Sequence, residues 1–205
     1  MSKKFIFIFG SALIISIVSI VQYAFLPLSS SGLVESKSKM ILPSNWSFYF
    51  YSHIGFGTIA LGLGAFQFIK SLRKKYLKLH KIIGFVYLFS VLISGGSGLY
   101  VALYATGGLV STFGFGTLAF LWVIYTLIAF YQLIESKFYL HGIWMIRSYG
   151  LTFAAVTLRI YLPISIIIFG IENFPVYYSV ISWISWITNI IIVEFYILKK
   201  FELFK

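Results

Sequence analysis

The sequence predicts an all-α fold: a polytopic membrane helix bundle with six transmembrane helices and both termini on the cytoplasmic side. Three observations carry this. Only 10% of the 205 residues are charged, against roughly 25% in an average globular chain. Hydrophobic residues make up 60% of the chain, and mean hydropathy is +0.96. The apolar residues gather in long runs of the length that crosses a hydrocarbon core, about 20 residues as a helix. A membrane barrel would need alternating strands of about 10 residues, and no such alternation is present.

The first element, expected over Phe5–Leu26, follows the basic lead "MSKK". Its apolar part exceeds the usual ~7–15 residues of a signal peptide, and no small-x-small cleavage site follows, so it reads as a retained anchor. The stretch "PLSSSGLVESKSKMILPSNW" is punctuated by Ser and Pro and reads as an irregular external loop. Further spans are expected at Phe48–Ile69, Ile82–Tyr104, Phe113–Ile134, Arg147–Gly170 and Tyr177–Leu198. In the second, Thr58 with Gly62 and Ala60 with Gly64 stand four apart, as do Ser94 with Gly98 in the third. That spacing of small residues lets helices approach closely where lipid gives them no hydrophobic drive to associate. The chain divides into an anchor and loop (1–47), a four-helix core (48–170) and a last helix with its tail (171–205).

Basic residues set the orientation. Lys3, Lys4, the Lys70–Lys81 cluster, Lys137, Arg147, Lys199, Lys200 and Lys205 fall on one side, and only Lys37 and Lys39 on the other. The net charge of +11 is thus a topology signal for a multi-pass protein of the cell (plasma) membrane rather than a sign of nucleic-acid binding. The lipid bilayer is the expected partner, with anionic headgroups at the Lys70–Lys81 cluster. With no cysteine, disulfides, thiolate metal sites and Cys nucleophiles are excluded. A hydrolase is disfavoured: all five acids are Glu, and no Ser stands in a recognisable nucleophile setting.

Ionisable groups within spans are functional-site candidates by default. Gln67, His80, His141 and Arg147 fall near the basic end, and His53 and Arg159 near the other. Arg159 follows His141 by 18 positions, roughly 27 Å along a helix, so the two belong to different sites. Glu172 in the following loop is a candidate partner for Arg159, unless that side chain reaches outward. Pro163 is expected to kink the helix by freeing the carbonyl of Arg159. Glu194 is expected to pair with Lys199 or Lys200. His80 and His141 share a depth on two separate helices, as the axial ligands of a b-type haem would, and equally as interfacial anchors would.

The runs "GFGTIALGLGAFQF", "LKLHKIIGFVYLFSVLISGGSGLYVAL" and "HGIWMIRSYGLTFAAVTLRIYLPI" resemble the bacterial predicted membrane proteins grouped as domain of unknown function 2306. The resemblance covers about residues 50–165 and rests on Gln67 with Phe68, His80, His141 with Trp144, Met145 and Arg147, and Arg159. Lys81 departs from it, standing where an arginine is usual. It implies a fold and marked residues, not an activity. Three readings follow. The first is a redox bundle holding haem b or a quinone, with His80 and His141 as iron ligands and Arg147 and Gln67 as cofactor partners. The second is a transporter or receptor for a small molecule or lipid. The third is a non-catalytic assembly subunit.

Overall fold

The structure, a computed structural model, describes residues 3–25 and 40–201. The expected external loop up to residue 39, with Lys37 and Lys39, lies outside the described residues, as do Lys205 and the side chains of Lys3 and Lys4. Every regular element among the described residues is helical. Helix α1 is Lys3–Ile20 and continues as a π-helical turn, Val21–Phe25. It is followed by α2 (Trp46–Phe66), the short basic α3 (Lys70–Lys75), α4 (Leu77–Ala102) and α5 (Gly108–Ile134). Then come α6 (Phe138–Thr152), α7 (Ala154–Phe169), a 3-10 turn (Ile171–Asn173) and α8 (Phe174–Phe201).

Among the described residues, five segments are long and apolar enough to cross a membrane: Ile6–Phe25, Leu77–Ala102, Gly108–Ile134, Phe138–Phe169 and Ile171–Lys200. Helix α2 reaches 21 residues, but Trp, Tyr, Ser, His and four Gly dilute its hydropathy. The expected span at Arg147–Gly170 is two helices in series, and the interruption lies at Phe153 rather than at Pro163, through which α7 continues. There Val156 N–H bonds the Phe153 carbonyl at 2.9 Å, a tightened turn that interrupts the helix without proline.

Small residues fix the central packing. Helix α2 lies chiefly against α4, where Gly57 faces Ser94 and Gly98 faces His53. A Cβ on Gly64 would stand 2.7 Å from ring carbons of both Tyr87 and Tyr149, so only glycine admits these two rings. The main core gathers Ala60, Tyr87, Val91, Trp122, Tyr149, Leu151 and Trp186 from α2, α4, α5, α6 and α8. A smaller cluster of Ala12, Leu61 and Val156 seats α1 against α2 and α7. Large apolar side chains such as Phe7, Leu109, Phe113, Ile167 and Ile192 point outward and exposed. In water such a surface would drive aggregation. Facing lipid tails, it is the surface a membrane-spanning bundle needs. At the start of α5, Gly107 adopts φ +96°, a left-handed conformation for which glycine carries no steric penalty.

Candidate functional site

The predicted polar residues fall at two opposite ends of the bundle. At the basic end, α2 ends and α4 begins side by side, because Gln67, itself buried, donates through Nε2 to the His80 carbonyl at 3.2 Å. The amide thus ties two helix ends together rather than lining a cavity. His141 opens α6, and its Nδ1 meets the Ala129 carbonyl of α5 at 2.8 Å. A carbonyl only accepts, so Nδ1 carries the proton and Nε2 is left for another partner. His80 lies within electrostatic reach of both His141 and Arg73. Its Nδ1 is buried and has no hydrogen-bond partner in the structure. Sequence reasoning therefore brought together two residues that the fold does place near one another.

Arg147 is committed elsewhere. Its Nε and Nη2 donate to the two carboxylate oxygens of Glu194 at 2.6 and 2.9 Å, and its guanidinium lies 4.5 Å from the centre of the Trp144 ring. This corrects the expected pairing of Glu194 with Lys199 or Lys200; Lys200 instead donates to the Tyr196 hydroxyl at 2.8 Å. The planar fork of arginine matches a carboxylate in a way a flexible lysine does not.

At the opposite end, His53 Nδ1 donates to the Ser94 carbonyl at 2.9 Å, and Ser94 Oγ donates back to the His53 carbonyl at 2.7 Å. Arg159 donates through Nη1 to the Ala155 carbonyl and through Nη2 to Ser19 Oγ, both at 2.9 Å. It neither pairs with Glu172 nor reaches outward. Its two partners come from α7 and α1.

Between the two ends lies a network that the sequence reading missed. The Tyr87 hydroxyl bonds Ser148 Oγ at 2.7 Å and Thr152 Oγ1 at 2.8 Å, Trp122 Nε1 donates to Thr152 Oγ1 at 2.9 Å, and Thr126 Oγ1 meets Ser148 Oγ at 2.6 Å. All five side chains are buried. Ser148 with Thr152, and Trp122 with Thr126, are spaced four apart within spans. That spacing puts each pair on one helix face, and it was the available signal.

The fit of a haem can be tested on this geometry. A fixed Nδ1–H, as in His141, is how metal-bound imidazoles are oriented. The space is less favourable. One open hollow, about 310 Å³, lies between α4 and α5 against Leu99, Leu103, Phe113 and Phe120. Another, about 320 Å³, is lined by Lys70, Arg73 and Lys74. Neither is lined by His80 or His141, and Arg147 is already neutralised by Glu194. Among the described residues no three His, Cys, Asp or Glu side chains cluster as a site for a metal ion held by protein ligands alone would. Neither hollow therefore offers a porphyrin room between the two histidines.

No curated protein and no solved structure matches the chain. A family model described as "Predicted membrane protein (DUF2306)" matches residues 50–197. The match takes in Gln67, His80, His141, Arg147 and Arg159, and runs on through most of α8, where Glu194 sits. With the helical bundle, its lipid-facing surface and this match in hand, the chain belongs to the DUF2306 family of predicted membrane proteins.

Proposed function

We propose that the chain is a six-span protein of the plasma membrane, with both termini cytoplasmic, that binds an anionic lipid headgroup at its basic end. The observation that carries the reading is the surroundings of His80. Its buried Nδ1 has no partner, Arg73 and His141 lie within electrostatic reach, and a hollow of about 320 Å³ is lined by Lys70, Arg73 and Lys74. A buried polar atom without a partner calls for one from outside the chain. A basic hollow selects an anion for that role, and each Lys or Arg at an anionic membrane surface contributes about 1 kcal/mol. The orientation is supported by the gathering of basic residues at helix ends that meet there. At 21 residues, α2 would extend about 31 Å, enough to match its neighbours as a sixth span.

Native mass spectrometry of the delipidated full chain, offered equal phosphatidylglycerol and phosphatidylcholine, tests the headgroup. Wild type should favour the anionic lipid, and Arg73→Gln and His80→Ala should each reduce that preference. An unchanged preference in both variants would refute it.

A second reading has one observation in its favour. The His141 Nδ1–H bond to the Ala129 carbonyl leaves Nε2 in the tautomer that iron ligation needs. A haem b between His80 and His141 would give sharp bands in the dithionite-reduced spectrum of the purified protein. Their loss in His80→Ala and His141→Ala would favour redox chemistry. A featureless spectrum would leave the lipid reading alone.

A further inference from the structure

Among the described residues of the spans, Arg159 is a cation that meets no carboxylate. It lies in α7, ten residues before the helix ends at Phe169, or about 15 Å inside that end of the bundle. Its guanidinium offers five N–H donors, and the protein bonds it at Nη1 through the Ala155 carbonyl and at Nη2 through Ser19 Oγ. The titratable groups within its electrostatic reach are Tyr23 from the π-helical turn, His53 from α2 and Tyr178 from α8. Tyr177 stands one position from Tyr178, and Glu172 lies within reach of Tyr177 rather than of Arg159. Two phenols and an imidazole whose Nδ1–H is already donated to Ser94 add no negative charge at neutral pH.

The described carboxylates are occupied or placed elsewhere: Glu194 with Arg147, Glu135 with Lys137 at 3.6 Å, and Glu172 at the turn after Gly170. Glu172 is exposed at this end of the bundle, so among the described residues no carboxylate accompanies Arg159 in its interior. Isolated charge at such depth is expensive unless an opposite charge meets it. The guanidinium contacts α7 at Ala155 and α1 at Ser19, and Tyr23, His53 and Tyr178 lie within its electrostatic reach. π-helical turns often mark functional positions, and Tyr23 belongs to the one that follows α1.

We propose that Arg159 holds an oxyanion, the carboxylate or phosphate of an amphiphilic acid that enters from the membrane at the end opposite the basic loop. The planar guanidinium takes two oxygens of such a group at once. The site is separate from the headgroup site at His80, so Arg73→Gln should leave it intact.

The test uses the delipidated full chain in detergent and measures binding of radiolabelled oleate, methyl oleate and short-chain phosphatidylglycerol by equilibrium dialysis. Wild type should bind oleate or phosphatidylglycerol at least tenfold more tightly than uncharged methyl oleate. Whichever anion wins identifies a carboxylate or a phosphodiester as the natural group. Arg159→Met should abolish that discrimination, and Arg159→Lys should keep part of it, which separates a lost charge from a misfolded chain. Equal binding of oleate, phosphatidylglycerol and methyl oleate by wild type would overturn the proposal without recourse to any variant. So would discrimination that emerges only in Glu35→Gln, because the chain's own carboxylate would then be the anion.

Discussion

Replacing Glu194 by Gln should destabilise the bundle by about 2 kcal/mol. The figure follows from the geometry of its partner. Two charge-assisted bonds join Arg147 and Glu194, at 2.6 and 2.9 Å. Breaking a fully buried pair by removing one member costs about 3–5 kcal/mol. Here the side chains keep 21% and 36% of their exposure, so solvent partly rehydrates the survivor and the effect falls toward the ~1.5–3 kcal/mol of a bond to a charged group. Arg147→Met should cost slightly more, because it also removes the contact with Trp144, worth about 0.5–1 kcal/mol at a half-exposed site. The double variant leaves neither charge alone, so its cost should fall short of the sum by about 1.5 kcal/mol. Reversible unfolding in mixed micelles, followed by circular dichroism on all four proteins, measures this coupling. Costs that simply add, to within about 0.5 kcal/mol, would mean that the pair is incidental and that Arg147 is free for a ligand.

Gly64→Ala should destabilise by about 1–3 kcal/mol through overpacking, since its Cβ would stand 2.7 Å from the Tyr87 and Tyr149 rings. Gly55→Ala, with nothing within 4 Å, should be neutral or stabilising by up to about 1 kcal/mol; thermal melts of both variants separate close packing from helix propensity. Tyr87→Phe removes two hydroxyl bonds. At roughly 0.6 kcal/mol each in membranes, it should cost about 1–2 kcal/mol in the same unfolding assay. Because the chain has no cysteine, single reporters report topology cleanly. Lys74→Cys should react with an impermeant maleimide only after the cells are opened, and Glu172→Cys on intact cells; the reverse pattern would invert the proposed orientation.

The sorting of the polar residues into two ends was legible in the sequence. His80 and His141 were paired by depth, and the fold brings them within electrostatic reach. His53 and Arg159 were separated from them by helix rise, and they do sit at the other end. The partners were not legible. Arg147 finds Glu194 47 positions away, whereas sequence proximity pointed Glu194 to Lys199 and Lys200. Tyr87, Ser148, Thr152, Trp122 and Thr126 went unremarked, since hydroxyl and indole groups in apolar runs look like ordinary lining residues until they converge. The interruption at Phe153 carries no proline signal at all; Pro163, which does, sits inside a continuing helix.

The sequence by itself determined the solvent this protein lives in, the approximate spans and the end at which positive charge collects. Those depend on composition summed along a helix, and the cost of exposing backbone or charge to hydrocarbon leaves few alternatives. Only the tertiary structure decided which polar groups meet. Contact needs the rotation of each helix about its own axis. In a soluble bundle an apolar stripe reveals that rotation. Here lipid rewards apolar residues on the outer faces as much as packing does on the inner ones, so the stripe disappears. What sets the rotation is close fit, such as Gly64 admitting Tyr87 and Tyr149, and the pairing of buried groups such as Arg147 with Glu194.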